Sequence, residues 1–108
     1  MTEPNFKNLK TQLHKGILEY CVLLIIRDKA CYVQDILKRL GDANISAPEP
    51  SIYTLMNRLK RENKVTYEWE ESPMGPPRKY YSITDLGRKT LEYLEKAWSE
   101  MNLSINRL

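Results

Sequence analysis

Ser51-Ile52-Tyr53-Thr54-Leu55-Met56-Asn57-Arg58-Leu59-Lys60-Arg61-Glu62-Asn63-Lys64 is an amphipathic segment with two chemically distinct sides. Ile52, Leu55, Met56 and Leu59 recur at helical spacing and form an inward stripe. Pro48 and Pro50 fit its first turn, where missing N–H groups have no intrahelical partner, and Asn63 suits a left-handed terminator. Removing the stripe leaves Ser51, Thr54, Asn57, Arg58 and Arg61 outside, flanked by Lys60 and Lys64. Short hydrogen-bonding groups followed by cations are what a helix needs to meet base edges and phosphates. A solvated helix face has the same composition, so the neighbouring elements must decide.

Downstream, Val65, Tyr67 and Trp69 alternate with Thr66, Glu68 and Glu70, the period of a half-buried strand. Ser72-Pro73-Met74-Gly75-Pro76-Pro77 reads as a turn cluster, and Arg78 to Ile83 as the returning strand of a hairpin with a long tip. Arg78 and Lys79 follow that tip, where a wing meets the sugar–phosphate backbone or minor groove. Glu68, Glu70 and Glu71 are expected to face solvent or pair with those cations, and Trp69 to pack against the last helix.

Upstream, Leu9 to Arg27 reads as one helix that becomes apolar all round after Ile17 and therefore needs cover on more than one side. Val33, Ile36, Leu37 and Leu40 mark a second helix, with Gly41 as its terminator. Asp42 to Pro50 is a polar connection. After the hairpin, Thr84 is a natural N-cap with Asp85 in the first turn. In the final helix Leu91, Leu94, Trp98, Met101, Ile105 and Leu108 are spaced 3, 4, 3, 4 and 3, the rhythm of lengthwise helix packing. Such a helix is roughly 35 Å long, and a projecting apolar seam requires a partner chain.

The order is three helices, a two-stranded hairpin and a long helix. It defines a mainly α fold with a small two-stranded β-wing (α+β), a winged helix-turn-helix plus a C-terminal dimerisation helix. Residues 1–83 form the DNA-reading part and 84–108 the dimerisation helix, together one structural unit.

At 108 residues the chain has room for one domain, which excludes a multidomain enzyme. Its 42% hydrophobic and 29% charged residues are an ordinary globular mixture. Lys plus Arg number 17 against 14 acidic residues, for a net charge of +3. That total is only mildly basic, but its cations gather at one helix end and one wing. The longest apolar run, Cys21 to Ile26, is too short for a membrane span, and the N-terminus lacks the pattern of a signal peptide, so a cytoplasmic protein is expected. Cys21 and Cys31 match no zinc-ligand spacing and read as reduced thiols. The lone His14 has no partner set for a metal. No nucleophile elbow, phosphate-binding glycine loop or nucleophile–base pair can be assembled, so neither cofactor nor enzymatic activity is expected. Glu70 and Glu71, adjacent on a strand, point to opposite faces.

The residues also carry a family resemblance. His14-Lys15-Gly16-Ile17-Leu18-Glu19-Tyr20-Cys21-Val22-Leu23 resembles the first helix of PadR-type transcriptional regulators. Ser51 to Leu59 is similar to their recognition helix, Gly75-Pro76-Pro77-Arg78-Lys79-Tyr80-Tyr81 to their wing, and Thr84-Asp85-Leu86-Gly87-Arg88 to the start of their last helix. The resemblance spans roughly residues 13 to 98. It departs at Tyr32-Val33, where the family usually has tyrosine or histidine followed by glycine, and at Asn63, which occupies a usual glycine position. The single final helix is similar to the branch with a short C-terminal part, which dimerises through the last helix packed with the first.

From this follow the expected sites. Tyr32, Gln34, Ser51, Tyr53, Thr54, Asn57, Arg58, Arg61, Lys64, Arg78 and Lys79 are expected to meet a double-stranded DNA operator. Tyr53 would donate its hydroxyl to a phosphate, the alternative being a packing tyrosine, while Tyr32 and Gln34 sit at a helix N-terminus that suits a phosphate or ordinary capping. Leu13, Ile17, Tyr20, Leu24, Leu91, Leu94, Trp98, Met101 and Ile105 are expected at a homodimer interface. Trp98 matches the place where some members present an aromatic ring to flat, often cationic effectors, with seam packing as its default role. The reading is a homodimeric repressor of an imperfect palindrome, released by a small effector. The rivals are a winged-helix protein-interaction module and a multidrug-type ligand-binding dimer with a secondary DNA role.

Overall fold

The computed structural model describes residues 6–45 and 47–108. Five helices and one antiparallel hairpin follow in the order α1 (Phe6–Lys15), α2 (Leu18–Ile26), α3 (Val33–Asp42), α4 (Glu49–Arg61), β1 (Val65–Ser72), β2 (Gly75–Ile83) and α5 (Asp85–Asn106). The helix expected from Leu9 to Arg27 is thus two. Gly16 is a weak helix former, and Ile17 takes φ −110° and ψ 2°, outside helical geometry. The break releases α1, which buries no residue, from α2, which buries Leu18, Val22, Leu23 and Ile26.

Helix α3 buries Val33, Ile36 and Leu40, and the Asp35 carboxylate accepts from the Tyr32 backbone N–H at 3.3 Å at its N-terminus. Its end is not Gly41, which lies inside the helix, but Asn44 at φ 60°. There the Ile45 N–H reaches back to the Leu40 carbonyl at 2.9 Å, the closure that a left-handed residue after a helix permits. The same device ends α4 as anticipated: Asn63 has φ 61° and the Lys64 N–H donates to the Leu59 carbonyl at 2.9 Å. Asparagine tolerates this region because its short side chain limits the steric cost that other residues pay there. Pro50 stands in the first turn of α4, behind Pro48 as N-cap.

The hairpin pairs Val65 with Ile83 through Glu70 with Arg78, then Ser72 with Gly75, with an irregularity between Glu70 and Ser72. Its turn is only Pro73 and Met74, so the long tip expected from Ser72 to Pro77 is instead ladder as far as Gly75. Pro76 and Pro77 are tolerated because they lie opposite the irregularity between Glu70 and Ser72, where the regular ladder of the hairpin is interrupted. Cys31 and Tyr81 exchange two backbone hydrogen bonds, 3.0 and 2.9 Å, and so anchor the wing to the residues that enter α3.

One core unites these elements: Val22, Leu23, Ile36, Ile52, Met56, Leu59, Val65 and Tyr81 are essentially inaccessible. Leu91 joins it, so the start of α5 belongs to the same folded unit. The Thr84 hydroxyl caps α5 by accepting from the Gly87 N–H at 3.0 Å while donating to the Asn63 carbonyl at 2.6 Å. Gly87 is buried against the Lys64 carbonyl and the Ile83 side chain, leaving no room for a β-carbon.

Candidate nucleic-acid interface

Helix α4 presents two exposed flanks. On one, Tyr53 and Asn57 lie one turn apart and face the wing across a cleft of about 580 Å³. Tyr32, Gln34, Trp69, Arg78 and Lys79 line the same cleft. Six of the residues expected at DNA therefore converge from three elements: the α3 N-terminus, α4 and β2. On the other flank Ser51, Thr54 and Arg58 border a second cleft with Lys15 and Glu19 from the α1–α2 junction. Arg61 is exposed at the C-terminal end of the helix.

Aromatic contacts set the wing's position. The Tyr32 hydroxyl donates to the Glu70 carboxylate at 3.0 Å, and its ring lies 4.8 Å from that of Tyr80. The Arg78 guanidinium sits over the Tyr32 ring, 5.4 Å from its centroid. Hydrogen bonding to the Glu70 carboxylate raises the Tyr32 hydroxyl above its ordinary value, so it stays protonated and keeps donating. Glu70, exposed as expected, thus takes Tyr32 as its hydrogen-bond partner. The Lys79 ammonium lies 4.5 Å from the Tyr67 ring centroid and 5.5 Å from that of Trp69. Trp69 does not pack against the last helix. It is 62% exposed and meets Tyr67 edge-on, because it lies on the same strand face as Val65 and Tyr67 but further out along the wing, beyond the core. Its place in the cleft was hidden from the sequence, where alternation alone assigns it to the inward face with Val65 and Tyr67.

The cations of α4 divide into two kinds. Arg58 donates to Glu19 at 2.7 Å and to both oxygens of Glu62 at 3.1 and 3.2 Å. Lys64 reaches Glu19 at 3.0 Å and Glu62 at 2.9 Å. Partial burial pushes the Glu19 carboxyl up, but the hydrogen bonds and charges of Arg58 and Lys64 outweigh it and hold the group below the ordinary carboxylate value. No ion pair among the described residues engages Lys60, Arg61, Arg78 or Lys79. Glu19 was not singled out from the sequence, although a lone carboxylate in the apolar run of α2 signals a partner, since half-buried charges are kept only when paired.

The residues expected at a subunit interface also divide. Leu91 is 3% exposed within the single chain, so it belongs to the core and is withdrawn from that set. Tyr20, Leu24 and Leu94 pack partly on the core, and Ile17 is half-buried. Leu13, Trp98, Met101 and Ile105 remain open, as do Phe6 and Leu9 on the same helix as Leu13. Burial raises the thiols of Cys21 and Cys31, both unbridged, so they stay protonated. Among the described residues no group of three or more His, Cys, Asp or Glu could hold a metal ion, and no helix is long and apolar enough to cross a membrane.

The model of the transcriptional regulator PadR-like family matches residues 22–93, which contain α3, α4, the wing and the start of α5. The chain belongs to the PadR-like family. A PadR-like transcription factor from Bacteroides fragilis is 42% identical, covers 93% of this chain and 97% of its own, and superposes with a TM-score of 0.77. A PadR-like regulator from Bacillus cereus is 34% identical over 89% of this chain and 94% of its own, with a TM-score of 0.78. A PadR family regulator from Eggerthella lenta, 28% identical, reaches a TM-score of 0.86 over 94% of this chain and 89% of its own. This PadR-like chain is accordingly a winged-helix, DNA-binding transcriptional regulator, and its relatives are regulators rather than enzymes.

Proposed function

We propose that this PadR-like protein is a homodimeric repressor that places α4 of each subunit in a major groove and its wing against the adjoining backbone. The observation that carries this reading is the convergence of Tyr32, Gln34, Tyr53, Asn57, Arg78 and Lys79 around one cleft, with Ser51, Thr54 and Arg61 on the neighbouring surface of α4. Ser51, Thr54 and Asn57 carry donors and acceptors suited to base edges; Arg61, Arg78 and Lys79 supply charge for phosphates. Two-fold symmetry then puts half-sites about 34 Å apart in an imperfect palindrome. Dimerisation is supported by the apolar faces left open on α1 at Phe6, Leu9 and Leu13 and on α5 at Trp98, Met101 and Ile105.

The test is footprinting on the DNA upstream of the protein's own gene, with salt titrations of Arg61→Ala and Arg78→Ala. Each substitution removes one phosphate contact and lowers the slope of log affinity against log salt by about 0.9. Binding that is salt-independent and unchanged in both variants overturns the reading.

A second feature supports an effector. The Trp98 ring, 42% exposed on the open seam, offers a planar apolar platform where a flat cation could stack. An effector that binds the dimer better in a conformation with the wrong helix spacing would release DNA. Quenching of tryptophan emission by planar cations should disappear in Trp98→Ala, and quenching that survives removes Trp98 from the site.

A further inference from the structure

We propose that Glu19 is a positioning residue that limits sequence-independent DNA affinity: by holding Arg58 and Lys64 on the protein it keeps cationic charge from the phosphate backbone and ties the reading helix to α2. This rests on the DNA-binding reading given above.

The argument starts from the charge count. From Arg58 to Lys64 the chain carries four cations against one carboxylate, which implies strong, sequence-independent attraction to any duplex. Folding brings in Glu19, distant in sequence, and the pairing changes that sum. Arg58 and Lys64 each contact both Glu19 and Glu62, so two cations and two carboxylates form one locally neutral cluster. Only Lys60 and Arg61 remain uncommitted in the segment, on the described residues.

The cluster is placed to matter at DNA. Arg58 lies on the helical row of Ser51 and Thr54 and borders the same cleft, so a released guanidinium would stand beside candidate base-reading groups. Its side chain is 39% exposed, against 21% for Glu19 and Lys64, which leaves it a path outward once its anchor is gone. A regulator must prefer its operator over a large excess of other sequence, and phosphate contacts raise both affinities alike. Cations committed inside the protein therefore lower affinity for every sequence, so the regulator dissociates more readily from the excess of non-operator DNA.

The experiment is fluorescence-anisotropy titration of a random-sequence duplex between about 50 and 200 mM salt. It compares wild type, Glu19→Gln, Arg58→Gln/Lys64→Gln and the triple variant. In Glu19→Gln, random duplex binds more tightly and the salt slope steepens by up to about 0.9, the contribution of the one cationic charge that Glu62 no longer balances. The Arg58→Gln/Lys64→Gln protein keeps the wild-type slope, and adding Glu19→Gln to it brings no further steepening. That last comparison separates released cations from the mere loss of one negative charge. Glu62→Gln, on an exposed turn, is the second route if Glu19→Gln does not fold, with a slope change of the same sign and up to about 0.9. An unchanged slope in both single variants, or a slope reduced by about 1.8 in Arg58→Gln/Lys64→Gln, overturns the proposal while leaving DNA binding intact. Absence of salt-dependent duplex binding by the wild type overturns the DNA reading and the proposal together.

Discussion

Gly87 shows how much a single position constrains the fold. It sits where the start of α5 lies directly on the turn after α4, and a β-carbon there would strike the Lys64 carbonyl and the Ile83 side chain. The Gly87→Ala protein should lose about 1 to 3 kcal/mol in denaturant titration, because the backbone of two elements must separate. An alanine variant of unchanged stability would show that this approach is not tight. Nothing local in Thr84-Asp85-Leu86-Gly87 requires glycine, since the residue is helical; the demand comes from the packed neighbour. Asn63 and Asn44 are the opposite case. Their left-handed backbone is a local chemical option of asparagine, legible at Asn63 from its place after the α4 stripe and masked at Asn44 by the glycine three residues before it.

At the scale of elements, the proposed DNA contact depends on a wing held against α3. Two devices hold it: the backbone exchange between Cys31 and Tyr81, and the side-chain latch from Tyr32 to Glu70, Tyr80 and Arg78. The hydroxyl bond is exposed to solvent, so Tyr32→Phe should barely change global stability yet weaken operator binding by roughly two- to tenfold. Hydrogen exchange resolved along β2 checks it: amide protection near Arg78 should fall while that of the core of α4 does not. Unaltered protection would mean that the backbone exchange alone positions the wing. The strands themselves were legible from alternation and turn residues. The extent of β2 was not, because Gly75-Pro76-Pro77 has the composition of a loop and becomes strand only through its partner, Ser72 opposite Gly75.

For the whole molecule, the decisive asymmetry lies along α5. Its first turns are committed to the core through Leu91, while Met101, Leu103 and Ile105 are about half exposed or more. A seam that continues past the point where its own domain ends is the face on which the proposed dimer would close. Met101→Glu/Ile105→Glu should convert a dimer to a monomer in analytical ultracentrifugation and leave the fold of residues 6–94 intact by circular dichroism. Operator affinity should fall steeply in that variant, since two linked half-sites bind far more tightly than one. A variant that stays dimeric would place the interface elsewhere.

Apart from the break at Gly16-Ile17 that divides the first helix in two, periodicity, capping residues and turn composition determined the helix and strand order, the inward stripes and the winged arrangement, because each is a property of residues within a few positions of one another. Proximity across the chain was not available to that reading. Only folding brought Glu19 to Arg58 and Lys64, Tyr32 to Glu70, and Lys79 over Tyr67 and Trp69. It also separated Leu91, taken into the core, from the rest of its seam. The reason is physical: a side chain's type and local period state what it could bind, but charge compensation and burial depend on distances between segments, which tertiary packing alone decides.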